Sequence, residues 1–291
     1  MNYQELINKA LAAGFSDLEV YEDTSSSLSI AIFNGVVDKN QLSSISTATV
    51  RGIYNGKMAY LSLENKTEDI DFVIQNLINN ANSLTTDEEF EIFAGSESYP
   101  EDRPIRSDLD KYSNFDKIEL LKKLESKVKA ADSRIAFVPY CNYDEEKTMI
   151  RIVNSKGLDI IKQNEYCGVI VQAVAKENND SQSGFEVQIK LRFDEIDIDK
   201  LCDDVVRKAV AMLNAKPVPS KTYPVVVENE AMTSLLASFQ SIFSGEAGIK
   251  KITPLLGKEN IQIMSEKISI IDDPLKSDAI SVEPFDDEGV A

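Results

Sequence analysis

The chain has 291 residues, enough for about two domains, and 43% of them are hydrophobic, which suits an ordinary globular protein. It carries 49 acidic against 31 basic residues, a formal charge of −18, and no histidine. The charge repels phosphate and no run of Lys or Arg makes a basic patch, which argues against direct nucleic-acid binding. The missing histidine removes Ser–His and Cys–His nucleophile pairs and any H-E-x-x-H zinc helix.

The three cysteines, Cys141, Cys167 and Cys202, are far apart and form no C-x-x-C pair. They read as free thiols of a reducing compartment. The opening Met1-Asn2-Tyr3-Gln4-Glu5 is polar and acidic, unlike a signal peptide. No apolar run is long enough for a membrane helix. The expectation is a cytoplasmic protein.

In chain order, Tyr3, Leu6, Ile7, Ala10 and Leu11 recur at helical spacing, and Gly14 is placed to stop that helix. Leu18 and Val20, then Leu28, Ile30 and Ile32, alternate as strands do. Residues 47–54 are rich in β-branched side chains, Asn55-Gly56 signals a hairpin, and 58–63 is the return strand. A helix is predicted over 67–84, with Glu68, Asp69 and Asp71 at its positive end and Ile70, Val73, Ile74, Leu77, Ile78 and Ala81 as its buried stripe. Residues 85–112, acidic and carrying Pro100 and Pro104, read as a linker.

The order then repeats. Ser113 can cap a helix to 131. Strands are predicted at 135–142, 148–154, 158–174 and 185–193, and a closing helix at 198–213. Helix, strands, helix thus occurs twice, a topological duplication read from order alone. Pro217, Pro219 and Pro224 mark a second boundary. Beyond it lie an apolar strand at 225–227, a helix at 230–243 and a strand at 267–271. Two acidic turns follow, at Asp272-Asp273 and Asp286-Asp287-Glu288.

The fold expected is α+β, with segments at 1–84 and 113–216 around the 85–112 linker. Residues 217–291 read as the beginning of a mostly β C-terminal module, with too little apolar material for an independent core.

Ordered landmarks along this chain resemble the TldD/PmbA family, called modulators of DNA gyrase and known as metalloprotease complexes. They are Gly14-Phe15-Ser16-Asp17-Leu18-Glu19-Val20-Tyr21, the hairpin from Arg51 to Tyr60, and Val153-Asn154-Ser155-Lys156-Gly157. Pro224-Val225-Val226, Phe243-Ser244-Gly245-Glu246, Leu256-Gly257-Lys258, Ile271-Asp272-Asp273-Pro274 and Pro284-Phe285-Asp286-Asp287-Glu288-Gly289-Val290 complete the series. The resemblance implies a longer protein, of which this chain covers roughly the first two-thirds. In the TldD branch an H-E-x-x-x-H helix binds zinc; the PmbA (TldE) branch lacks it. Anchored on Gly245-Glu246, the ligand positions fall on Leu236 and Ser241 and the acid–base position on Ala237. None is a zinc donor of the usual kind.

The resemblance therefore implies a PmbA/TldE-like subunit with no catalytic residue and no metal of its own, acting in proteolysis of peptides or unfolded segments. It implies zinc from a TldD-like partner and a dimer or larger assembly. Phe239, Phe243, Ser244, Gly245 and Glu246 are the candidate cleft or interface residues. Set against this, the 230–243 helix reads equally as an amphipathic core helix, and Gly245 as a left-handed helix terminus. The acidic clusters read as turns or as hard-cation ligands. Exposed sheet edges offer places for an added peptide strand or are guarded by charge. Two other functions stay open: a hydrolase using a carboxylate-bound metal, and a non-catalytic adaptor for a gyrase or toxin component.

Overall fold

The computed structural model describes residues 1–64, 69–85, 90–100 and 106–291. The start of the predicted second helix, Thr67 and Glu68, lies outside the described residues, as does Pro104 of the predicted linker. The chain forms two compact units, Met1–Ala215 with Pro274–Ala291, and Lys216–Asp273.

The first unit is a six-stranded antiparallel sheet with helices on one face, so the fold is mixed α+β. Its elements are α1 (Tyr3–Ala12), β1 (Phe15–Phe33), β2 (Val36–Tyr54), β3 (Lys57–Leu63) and α2 (Ile70–Ser83). They are followed by α3 (Asn114–Ala131), β4 (Ile135–Asn154), β5 (Asp159–Glu177), β6 (Asp180–Lys190) and α4 (Ile198–Ala211). The order helix, strands, helix occurs twice, as the sequence predicts, with three strands in each set where four segments are expected. The two sets meet at β1 and β4 in the sheet order β3-β2-β1-β4-β5-β6. Because β1 and β4 pair antiparallel, from Glu19↔Asn154 to Ala31↔Asn142, the sets are related by an approximate twofold through the middle of that pair.

Local chemistry explains the helices. Asn2 accepts the Glu5 N–H, Asp69 that of Asp71, and Asp197 those of Asp199 and Lys200. Ser113 and Asp116 form a reciprocal capping box at α3. Asn34-Gly35 and Asn55-Gly56 all adopt positive φ, as tight hairpin turns demand. At Gly184 a β-carbon would sit 2.2 Å from the Val205 carbonyl oxygen, so α4 lies directly on β6 only because that position is bare.

The strands are longer than the sequence predicts. β1 and β4 each run unbroken where two short strands are expected, and the reason lies in the two cores. α1 and α2 bury Leu18, Val20, Val50 and Val153; α3 and α4 bury Leu28, Ile30, Ile32, Cys141 and Tyr143. Between them each strand crosses from one core to the other, through Thr24–Ser27 in β1 and Asp144–Lys147 in β4. Polar residues there interrupt the apolar pattern but not the backbone pairing. The first half of β2, residues 36–46, is mostly exposed and so carries no apolar alternation to read.

The second unit has only α5 (Asn229–Ala237), a 3₁₀ turn at Gln240–Phe243 and α6 (Gly245–Ile249). The predicted helix over 230–243 is thus broken at Ser238–Phe239 and buries none of its residues. The strands expected at 225–227 and 267–271 are not formed. A strand needs a neighbour for its N–H and C=O groups, and no segment of this unit pairs with them. Val226 is 98% exposed. The mostly β character expected of the third module is therefore not seen in these residues.

Candidate functional site

In α5, Leu236 is half-buried and Ala237 exposed; Ser241 lies exposed in the 3₁₀ turn that follows. These are hydrocarbon side chains and one hydroxyl, with no imidazole or carboxylate among them, so the set does not fit zinc. Phe239 and Phe243 are about half-exposed, at 53% and 46%. Phe243 and Ser244, with Ile242, Thr253 and Leu256, line a cleft of about 290 Å³ inside this unit. Gly245 begins α6 rather than closing a helix in the left-handed region, which corrects that reading of it. Glu246 pairs with Lys250 one turn on, and both are largely exposed.

The second place of interest is the sheet face that carries no helix. Strand parity puts alternate residues there: Glu19, Tyr21, Ser25, Ser27, Ser29 and Ala31 of β1, Arg51 and Ile45 of β2, Asn154, Ile152, Thr148, Glu146, Asp144 and Asn142 of β4, and Lys162, Tyr166 and Ile170 of β5. One half of this face is covered by residues 90–100 and by the returning segment Pro274–Ala291. Phe285 is buried beside Ile152 and Leu158, with Tyr21, Tyr99 and Ile160 around it. Asn164 donates from its amide to the Val282 carbonyl at 3.5 Å and accepts the Val282 N–H at 3.1 Å, as a neighbouring strand would. The buried Lys162 ammonium bonds the Phe285 carbonyl at 3.1 Å, stands over its ring and pairs with Glu283 at 2.5 Å.

Arg51 is the central tie. Its Nε donates to the buried Glu19 at 2.7 Å, and its two terminal nitrogens donate to Glu288 at 3.0 and 2.6 Å. Glu288, then Glu19, hold the guanidinium more firmly protonated than usual. Asn154 donates to Glu19 at 3.2 Å and to the Phe93 carbonyl at 2.8 Å. Tyr21 donates to Asp287, Tyr99 to the Gly289 carbonyl, and Asp286 caps the turn by accepting the N–H groups of Glu288 and Val290. The acidic cluster at 286–288 is therefore engaged by protein donors. Among the described residues no group of three His, Cys, Asp or Glu is placed to hold a metal.

The other half of the same face is bare among the described residues of this unit. A trough of about 340 Å³ crosses it, lined by Ser27, Ser29 and Lys39 on one side and Ile170, Val187 and Ile189 on the other. On a flat sheet β2 and β6 would stand about 19 Å apart, at four strand spacings. That both line one trough shows that the sheet is curled. Asp144 and Glu146 also line it, and the Tyr166 hydroxyl donates to Glu146 at 2.6 Å. That bond, then burial, pushes the Tyr166 phenol up to about 12.

The sequence reading missed Arg51, Glu19, Lys162 and Asn164 as site residues. The available signal was a charged or amide side chain at a strand position whose neighbours are apolar, as at Glu19 between Leu18 and Val20. Cys141 and Cys167 are buried, which pushes both thiols up to about 12 and makes them poor nucleophiles. No described helix is long and apolar enough to cross a membrane.

This curled sheet with its paired helix sets is a fold held in common with solved proteins. A putative modulator of a DNA gyrase from Thermotoga maritima matches 99% of the chain with a TM-score of 0.89 at 23% identity, the match covering 65% of that protein. TldE from Thermococcus kodakarensis matches 99% of it with a TM-score of 0.82 at 21% identity, again over 65% of its own length. In sequence, the Metalloprotease PmbA homolog of Buchnera aphidicola is 25% identical over 140 residues, 47% of this chain and 31% of the homolog. The chain spans less than two-thirds of each of these proteins.

Family profiles cover most of the chain: PmbA/TldA metallopeptidase domain 1 at 18–81, the central domain at 107–213 and the C-terminal domain at 220–291. The chain belongs to the PmbA/TldD metallopeptidase family.

Proposed function

We propose that this chain is the PmbA/TldE-like, zinc-free subunit of a cytoplasmic metalloprotease complex that acts on peptides or unfolded segments. The observation that carries the proposal is the chemistry at Leu236, Ala237 and Ser241, in a chain with no histidine. A TldD-like partner supplies the zinc and the catalytic glutamate, and this chain supplies interface and peptide grip. The sheet face supports the second role. It holds the Val282–Phe285 stretch through the Asn164 amide and the Lys162 ammonium, the kind of contact a bound peptide makes.

The test is metal analysis and peptide cleavage, on the chain alone and mixed with a TldD-like protein. The expected result is no stoichiometric zinc and no cleavage alone, and chelator-sensitive cleavage in a stable mixed complex. One tightly bound zinc per chain, or chelator-sensitive cleavage by the chain alone, overturns the proposal.

A further inference from the structure

The covered and bare halves of the helix-free face are related by the approximate twofold through β1 and β4, so each is a guide to the other. On the covered half the sheet offers two cations, Arg51 and Lys162. The segment lying on it is acidic, and Glu283, Asp287 and Glu288 come within 4.0 Å of those cations. Its Phe285 fills an apolar seat. On the bare half the sign is reversed. Asp144, Glu145 and Glu146 line the trough against the single cation Lys39. Glu145 is turned to Lys117 and Lys39 to Ser29, and Glu146 has one oxygen held by Tyr166. The Asp144 carboxylate has no partner among the described residues. Val187 and Ile189 form an apolar wall, 37% and 50% exposed, while Ser27, Ser29 and Gly168 leave the floor shallow.

We infer that this trough binds an extended peptide segment bearing lysine or arginine, whose aliphatic stem lies on Val187 and Ile189 and whose cation reaches Asp144 and Glu146. A basic side chain matches such a wall and rim, because its stem is apolar and only its head is charged. The sheet edge beside Lys39 adds to the site. β3 pairs with β2 only over residues 48–54, so residues 36–47 have no outer neighbour strand among the described residues and can pair with an extended backbone. A second copy of this chain is a poorer occupant, since each copy carries −18. The inference rests on the reading of the chain as a peptide-handling subunit and gives that role a preference for basic segments.

The experiment measures fluorescence anisotropy of two labelled peptides with the 291-residue chain, one alternating valine with lysine and the other alternating valine with glutamate. The lysine peptide should bind at least about tenfold more tightly. The pair Asp144→Asn with Glu146→Gln should remove most of that difference. The pair Asp203→Asn with Glu266→Gln, equal in charge and on exposed positions elsewhere, should change it by less than about twofold. Ser27→Phe, which fills the trough floor without altering charge, should abolish binding; circular dichroism of each variant checks folding, and Ser29→Phe replaces Ser27→Phe if the latter unfolds.

Equal weakening by both charge pairs, or binding untouched by the filled floor, overturns the inference. So does a dimer in sedimentation that the filled floor disrupts, because a second copy would then be the occupant. Failure of the functional proposal reads differently. Chelator-sensitive cleavage with the TldD-like partner but no lysine preference fails this inference alone. Trough binding with no complex and no cleavage fails the functional proposal alone.

Discussion

The two halves of the helix-free face are built from the same strands, yet one is finished and the other is open. Over the covered half, Arg51 bridges a buried carboxylate of the sheet to an exposed one of the returning segment, and Phe285 is buried to 4% exposure. Over the bare half, Ile45 is 57% exposed, Phe185 53% and Ile189 50%, and the Asp144 and Glu146 carboxylates line a trough with no cation paired to them among the described residues. The difference teaches where stability and where recognition reside. An apolar side chain contributes to folding only when something covers it, and an exposed apolar surface beside unmatched charge is what a binding partner requires.

The sharpest way to break this comparison is Arg51→Ala. Glu19, 1% exposed, would keep Asn154 as its one hydrogen-bonding side chain among the described residues. A buried carboxylate that loses its ion-pair partner costs about 3–5 kcal/mol, read as a lower urea midpoint with little change in slope. Glu288→Gln removes the exposed end of the same bridge and should cost about 1 kcal/mol or less. A near-equal loss from the two would show that the segment, not the sheet, depends on Arg51.

A matched pair of truncations comes next. Phe285→Ala opens a cavity among Ile152, Leu158 and Ile160 and should cost about 3 kcal/mol. Ile189→Ala on the bare half should stay within about 0.5 kcal/mol of the parent. A large loss at Ile189 would mean that the trough is already occupied in solution.

Much of the framework was legible in the sequence because it rests on local rules. The stripe Val73, Ile74, Leu77, Ala81 is buried as its spacing requires, and Asn55-Gly56 turns where its backbone preference places it. The α+β class and the doubled order of elements followed. What stayed hidden depends on pairing across the chain. Ser25-Ser26-Ser27 looks like a break until β4 lies beside it, and the apolar stretch at 225–227 looks like a strand although nothing in its unit pairs with it. The site was less legible for the same reason. Arg51 and Glu288 are 237 residues apart, and Lys162 lies 123 from Phe285. No motif spacing reports such a contact. The positions of Leu236, Ala237 and Ser241 came from resemblance, not from periodicity, and the break in the helix around them could not be read from its apolar residues.

The smallest expected effect is also the cleanest probe of whether the two halves act separately, and it uses one tyrosine from each. Tyr21 lies under the returning segment, and burial first, then the charge of Asp287, raises its phenol above the ordinary value of 10.0. Tyr166, on the bare half, is raised to about 12 chiefly by its bond to Glu146. For a phenol whose folded pKa is raised, the associated stability is full below about pH 10 and is lost as pH climbs toward 12 for Tyr166, because the unfolded chain ionises first. An ultraviolet titration, with Tyr21→Phe and Tyr166→Phe assigning the two signals, should find both protonated in the folded chain at pH 10. In the Phe285→Ala background the returning segment is loosened, so Tyr21 should move back toward 10 while Tyr166 stays near 12. If the two phenols moved together, the covering segment would be organising the bare half as well, and the trough would be part of one site rather than a second surface left open for a peptide.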